Sequence, residues 1–521
     1  MLKRLVLLDS QKVIIALAIY ITLFANYTFF TKLYNFAIVD ENRLLIYIVP
    51  VVVFILLVLV LNAIAILTQK YLLKATFSLL IVVCTFSAYF MNSFSIIIDR
   101  DMITNVMETD IAEASELMTL RLLLYLLLLC IIPLYMLYRY PIEFKKPKDE
   151  LVNRAIFIGL SSIALVVIFI FFSRDIIPFM RNHKELTSYL NPSYPITSFI
   201  SYTKRQIKKD RKIIPIATDA RIVTKDKKKL YILVVGETAR AKNFSLNGYD
   251  RETNPLLKNR EDVFSLSNFY SCGTATATSL PCMFSKFSKD SYDDDKRQYE
   301  NLVDVLASVG VRVIYRDNNS GESKGVATRL SDVKYYDALS YDEVMFESLE
   351  KDIDLSYQDT LIVLHQEGSH GPTYYKRYPD EFEKFKPTCK TQDLQKCSDE
   401  QIINTYDNTI LYTDYIIDKA IKLLKVNEPK YDTFLMYASD HGESLGEDGV
   451  YLHSMPYFLA PDEQIHIPAI FYFGSGMDDE KMILKENLSK RYSHDNIFHT
   501  FLALFGVSTS EYDSELDIFK K

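Results

Sequence analysis

Five long apolar runs fill the first third of this 521-residue chain, and they constrain it more than any other feature. Crossing the ~30 Å hydrocarbon layer of a bilayer takes about 20 apolar residues in a helix. Runs of that order lie near Val13–Phe30, Leu44–Leu67, Leu72–Tyr89, Leu120–Tyr138 and Ile156–Phe172. A cleaved leader does not account for the first, which lacks a small-residue cleavage site and is followed by four more. Flanking charge sets the orientation. Lys3, Arg4 and Lys12, then Lys70 and Lys74, then Arg139, Lys145, Lys146, Lys148 and Arg154 mark the faces expected inside the cell. The third connection is acidic, with Asp99, Asp101, Glu108, Asp110, Glu113 and Glu116, and is expected outside. An odd number of spans then carries everything after Phe172 outside as well.

The cysteines point to the same compartment. Cys84 and Cys130 lie in apolar runs and read as buried thiols. Cys272/Cys282 and Cys389/Cys397 are close pairs in polar sequence, which suggests disulfides and an oxidising environment. Zinc ligation by all four is the weaker account, because both spacings exceed those of a zinc knuckle. A net charge of −7 argues against nucleic acid as a partner. The expected organisation is a transmembrane domain over 1–173, interfacial helices and a basic tether over 174–229, and an α/β domain over 230–521. In the acidic outer connection, Asn105, Thr109 and Glu113 share one face of a possible helix. Spacing alone fits a solvated acidic helix equally well.

From Leu230 onward, short β-branched and aromatic runs alternate with helical stretches, the pattern of an α/β domain with a largely parallel sheet. Ligands of such sheets sit beyond the carboxyl ends of the strands. Each strand candidate delivers chemistry there. Tyr231–Val235 leads to Glu237; Arg312–Tyr315 leads to Asp317, Asn318, Asn319 and then Lys324. Leu361–Leu364 leads to His365, Glu367 and His370; Thr433–Tyr437 leads to Asp440, His441, Glu443 and then His453. Asp440 and His441 are adjacent, and Gly442 permits close backbone approach, so this pair is the better metal candidate. Carboxylate with imidazole suits Zn²⁺. Glu237 alone reads as well as a helix-capping carboxylate, and His370 or His453 alone as a structural histidine. His183 and His494 look peripheral; His466 and His499 look structural. The stretch Ser271–Cys282 supplies hydroxyls at Thr274, Thr276, Thr278 and Ser279 at the expected start of a helix, where phosphate is well received. Spacing does not choose among the three threonines. A hydroxyl beside a metal becomes an alkoxide nucleophile.

The stretches VVGETARAKNFSLNGYDRETNP, SCGTATATSLPCMFS, LHQEGSHGPTYYKRYP and ASDHGESLGEDGVYLH, in this order, resemble the bacterial inner-membrane phosphoethanolamine transferases. That family modifies lipid A, core sugars or surface proteins, and its catalytic domain belongs to the alkaline phosphatase/sulfatase superfamily. The resemblance implies that Thr276 is the nucleophile and that Glu237, Thr276, Asp440 and His441 hold Zn²⁺, one ion or two. It implies substrate or second-metal roles for His370, His453 and Lys324, and places Asn105 and Glu113 near the lipid donor. It implies transfer of phosphoethanolamine from phosphatidylethanolamine to an envelope acceptor such as lipid A, through a phospho-threonine intermediate. The added cation would weaken binding of polymyxin-like peptides. Some relatives carry three disulfides where this chain has cysteines for two, and the SGES loop before Lys324 is a residue longer than in some. A glycerol-phosphate transferase, or a phosphodiesterase or sulfatase of the same superfamily, is the alternative. A sulfatase needs a modified cysteine or serine, and Cys272 and Cys282 look paired.

Overall fold

The computed structural model describes residues 8–108, 115–207, 212–223, 227–319, 322–337, 340–354 and 357–520. The chain divides into two units, Met1–Arg100 with Met118–Ser201, and Asp101–Leu117 with Tyr202–Lys521.

The first unit is helical. Helices α1 (Ser10–Phe24) and α2 (Tyr27–Val39) meet at a 57° bend. Backbone groups freed by a bend need partners in an apolar setting. Asn191 meets one of them, its amide donating to the Ala25 carbonyl at 2.7 Å, and Asn26 holds Asn191 in place, its amide donating to the Asn191 carbonyl at 3.1 Å and accepting from Asn191 N–H at 2.9 Å. Helix α3 (Leu45–Phe94) is 50 residues long, but its backbone leaves the helical region at Gln69 (φ 48°, ψ −155°). The expected runs Leu44–Leu67 and Leu72–Tyr89 lie on either side of that break. After α4 (Arg100–Glu108), Leu120–Arg139 forms α5, Pro147–Asn182 forms α6 and Ser193–Ile207 forms α7. By length and composition, three helices among the described residues can cross a membrane, or four if the bent pair is one span. Their outward faces are apolar, with Leu67, Ile163, Ile170 and Phe171 exposed. Helix α6 runs unbroken through 174–182, where short interfacial elements were expected; Pro178 is absorbed within it.

The second unit is a mixed eight-stranded sheet. In chain order the strands are β1 (Lys229–Gly236), β2 (Val263–Tyr270), β3 (Arg312–Asp317), β4 (Val333–Tyr335), β5 (Thr360–His365), β6 (Asp432–Ser439), β7 (His466–Phe473) and β8 (Tyr492–Ser493). Their spatial order is β8-β2-β7-β6-β1-β5-β3-β4. All neighbours are parallel except β7, which runs antiparallel to both β2 and β6. The central strands are buried at nearly every position and apolar through their middles, because both faces are covered. Along β1, Tyr231, Leu233 and Val235 enter one core, with Leu280 and Met283 of α8 (Thr276–Met283) and Ile497 and Phe501 of α10 (Asp495–Leu504). Leu230, Ile232 and Val234 enter the other, against Ile402, Tyr406, Ile410 and Ile417 of α9 (Asp399–Asn427). The carboxyl ends of β1, β6, β5 and β3 therefore open along one edge of the sheet.

Candidate metal and nucleophile site

Strands β1 and β6 are in register, Gly236 beside Ser439, so the residues just beyond them leave the sheet together. The Asp440 N–H donates to the Gly236 carbonyl at 2.8 Å and locks the two exits. Asp440 Oδ1 accepts from the N–H groups of His441 at 2.7 Å and Thr238 at 3.3 Å, which turns Oδ2 inward. Thr238 takes a left-handed backbone conformation (φ 51°) to make that bond. Gly442 is required by packing: a Cβ there would lie 2.1 Å from the Glu463 carbonyl oxygen.

Thr276 is the first residue of α8, after the extended Ala275. Its hydroxyl lies 3.0 Å from Glu237 Oε2 and 3.3 Å from His441 Nε2. His441 Nε2 in turn lies 3.4 Å from both Glu237 Oε1 and Asp440 Oδ2. The ligand atoms of Glu237, Asp440 and His441 all fall within 4.8 Å of one another, and all three residues are buried. The geometry separates the three threonines that spacing left open. Thr274 spends its hydroxyl on the Met455 carbonyl at 2.6 Å, and the Thr278 hydroxyl makes no hydrogen bond. Only Thr276 among them faces the carboxylates and imidazole.

The donor set fits a divalent cation. Glu237 Oε1 and Asp440 Oδ2 are buried without a hydrogen-bond partner, and both point at the convergence. Burial, reinforced by the Asp440 carboxylate, drives the Glu237 pKa well above the usual carboxylate range. Burial also pushes the His441 imidazole down to about 4. The Nδ1–H of His441 donates to the Gly442 carbonyl at 2.9 Å, so its Nε2 presents a lone pair to the centre. A bound cation would relieve the repulsion between the two carboxylates and satisfy both orphaned oxygens.

The imidazoles of His453 and His370 continue outward from the centre. The His453 ring centroid is 4.5 Å from that of His441 and 5.7 Å from that of His370. His453 Nδ1 bonds Glu443 Oε2 at 2.9 Å, and Tyr374 donates to the other Glu443 oxygen at 2.6 Å. Lys324 directs its ammonium to the Glu108 carbonyl at 3.4 Å and meets none of the four converging groups. Asn105 lies on α4, half-buried. Glu113 lies outside the described residues. Both cysteine pairs are disulfides, with Cα–Cα separations of 6.1 Å for Cys272–Cys282 and 5.7 Å for Cys389–Cys397; Cys84 and Cys130 are buried thiols.

Three residues gain roles that sequence reasoning missed. His494 is fully buried, not peripheral: its Nε2 donates to the Ser439 carbonyl at 2.9 Å and its Nδ1 accepts from Cys272 N–H at 3.1 Å. It ties the turn that leads to Thr276 to the strand that ends just before Asp440. Its position one residue before α10, after an exposed polar stretch, concealed this. Asn319 donates to Glu237 Oε2 at 2.7 Å and to the Gln366 carbonyl at 3.0 Å. Its place at a strand end was the available signal. Glu116 of the acidic connection is buried against Arg377 at 2.6 Å, Lys376 at 3.0 Å and the Thr373 hydroxyl. Nothing in its spacing announced that.

The sequence matches the phosphoethanolamine transferase EptA/EptB family over residues 53–207 and the sulfatase family over 229–507. It is 39% identical to phosphoethanolamine transferase EptA of Salmonella typhimurium, over 96% of this chain and 95% of that one. The chain belongs to the EptA/EptB phosphoethanolamine transferase family. It is also 36% identical to the phosphatidylethanolamine transferase Mcr-1 of Escherichia coli, over 95% of each chain. The solved integral membrane lipooligosaccharide phosphoethanolamine transferase A of Neisseria meningitidis superposes with a TM-score of 0.93, 32% identity and 99% of both chains covered. The transferase family's sulfatase-like domain thus corresponds to the eight-stranded unit that carries Thr276.

Proposed function

We propose that this transferase moves phosphoethanolamine from phosphatidylethanolamine to a lipid glycan of the lipid A type, in two steps through Thr276. The observation that carries this reading is the approach of a single threonine hydroxyl to Glu237 Oε2 and His441 Nε2 at 3.0 and 3.3 Å. The names of the relatives supply the substrate classes: phosphatidylethanolamine for Mcr-1, lipooligosaccharide for the Neisseria enzyme. Glu237, Asp440, His441 and the Thr276 hydroxyl would hold Zn²⁺, which lowers the pKa of a bound hydroxyl and offsets charge on phosphoryl oxygens.

In the first step the Thr276 oxygen attacks phosphorus. The Thr276 hydroxyl gives up its proton to water as the Thr276 O–P bond forms, the bond to the diacylglycerol oxygen breaks, and that oxygen takes a proton. His453, oriented by Glu443, and His370 are the imidazoles placed to deliver it. In the second step an acceptor oxygen attacks the phospho-threonine and loses its proton to the same imidazoles, the Thr276 O–P bond breaks, and the freed Thr276 oxygen takes a proton from water. Asn105 and Glu113 are assigned to the donor side and Lys324 to the phosphate. The five apolar runs, as five spans, place this chemistry on the periplasmic side of the inner membrane, where both lipids are reached. Thr276→Ala should abolish transfer while leaving membrane insertion and fold intact, read by lipid mass spectrometry of cells with and without the gene. Undiminished phosphoethanolamine addition by that variant would remove the nucleophile from the scheme. Mass spectrometry of the trapped threonine distinguishes phosphoethanolamine from glycerol phosphate.

A further inference from the structure

A second cleft, of about 810 Å³, opens beside the nucleophile turn and takes no part in the chemistry above. Its floor is Tyr270, Ser271 and Ser493, where β2 and β8 end in parallel register. Ser271 begins the turn that carries Thr276, and its carbonyl accepts from the Tyr457 hydroxyl at 3.0 Å. Tyr457 lies four residues beyond His453, so one wall of the cleft is an extension of the catalytic loop. Strands β2 and β6 are separated only by β7. Two strand spacings place the cleft roughly 10 Å from the Asp440 end of β6.

The charges lining it are unequal in their commitments. Asp495 accepts from Lys289 N–H at 2.8 Å; Asp517 accepts from the Tyr512 hydroxyl at 2.8 Å and Phe519 N–H at 3.0 Å. Lys289 pairs with Asp290 at 3.5 Å and Lys520 with Glu515 at 2.9 Å. Lys490 and Arg491, both exposed, have no acidic partner among the described residues. The Arg491 guanidinium lies 4.1 Å from the centre of the Tyr270 ring, a cation–π contact between two residues that line the cleft. Cations and carboxylates are equal in number in this lining, and Asp495 and Asp517 keep their charge there; the adjacent Lys490 and Arg491 are the cations outside any ion pair, one of them set on an aromatic face, and such a pair can receive a phosphate.

We propose that this cleft binds a second anionic group of the acceptor, a phosphate on its sugar backbone about 10 Å from the oxygen presented to Thr276. The inference rests on the two-step transfer to a lipid glycan proposed above, and names what makes one glycan a better acceptor than another. The test uses the full-length enzyme in phosphatidylethanolamine micelles with two acceptors, a bisphosphorylated lipid-linked disaccharide and the same molecule lacking the distal phosphate. Without acceptor, the single stoichiometric release of diacylglycerol reports the donor step alone. In Lys490→Ala/Arg491→Ala, the KM for the bisphosphorylated acceptor should rise at least fivefold, to the value for the monophosphorylated one, with the rate and amplitude of that single release retained. A double variant that still prefers the bisphosphorylated acceptor as the unmodified enzyme does overturns the proposal. So does a parallel loss of diacylglycerol release, which would assign these residues to the catalytic centre. Absence of diacylglycerol release from the unmodified enzyme would instead defeat the parent reading, and this one with it.

Discussion

Replacing Glu116 by glutamine tests how the acidic connection is held on the catalytic unit. Its carboxylate is nearly buried and receives Arg377, Lys376 and the Thr373 hydroxyl. Burial opposes the charge, but Arg377, Thr373 and Lys376 outweigh it and hold the carboxyl below its usual range. Removing one partner of a buried pair costs about 3–5 kcal/mol when the other charge is stranded. Here Arg377 keeps Glu367 at 3.1 Å and the His370 carbonyl at 2.8 Å, so the loss should be smaller, about 2 kcal/mol. That corresponds to a roughly thirtyfold rise in the opening equilibrium of the segment. Hydrogen exchange of residues 101–108 and 115–117 in detergent-solubilised protein measures it directly. The sign with pH is set by the depressed pKa: the stabilisation is complete above the unfolded carboxyl pKa and is lost as pH falls through the folded one. Because Arg377 also bonds the His370 carbonyl, turnover should drop with the attachment. Exchange rates in Glu116→Gln equal to those of the unmodified protein at neutral pH would show that the pair does not hold the segment.

The same geometry dictates other outcomes. Asn319→Ala frees Glu237 Oε2 from its orienting amide and should weaken zinc binding about 10- to 100-fold, measured by chelator competition. Zinc binding should strengthen as pH rises toward the elevated Glu237 pKa, because the ion must displace the proton that burial retains; calorimetry in buffers of different ionisation enthalpy should show net proton release. His441, held down at about 4, should contribute little to that release at neutral pH. His494→Ala removes a buried donor and acceptor that link Ser439 to Cys272 and should cost about 2–4 kcal/mol in thermal unfolding, with His494→Asn recovering part of it.

The sheet and its strand ends were legible because buried parallel strands write themselves as unbroken apolar runs, and the polar residues that close each run are those the active edge displays. Glu237, Asp440 and His441 could be read for that reason. The choice of Thr276 could not be made from spacing, since it depends on Thr274 turning to the Met455 carbonyl, a contact 181 residues away. The antiparallel entry of β7 was equally invisible, because a strand's direction leaves no mark on its own composition. His494 was misread for a related reason. A histidine flanked by Ser493 and Asp495 looks solvated, yet its two partners are backbone groups at Ser439 and Cys272, and backbone partners carry no sequence signature. Gln69 shows the same limit in the apolar unit: Lys70 and Lys74 marked a gap between runs, while the position of the break, at Gln69, did not show.

The contrast between the two kinds of attachment around the site bears on how a transferase works. The centre itself is fixed by buried bonds to backbone: Asp440 to Gly236, His441 to Gly442, His494 to Ser439 and Cys272. Such bonds are insensitive to salt and set the nucleophile relative to its ligands. The acidic connection is attached instead by ion pairs at its far end, Glu116 with Arg377 and Lys376, and near α4 by Arg297 with Glu108 at 3.6 Å. Lys376 is two-fifths exposed, so that pairing is screened as the central bonds are not. On the two-step reading proposed above, an enzyme passing a group between two lipids would have to keep Thr276 still while exchanging what surrounds it. Buried backbone bonds around the centre, and ion pairs open to salt at Lys376 and Arg297 on the acidic connection, would divide those two requirements between different parts of the same unit.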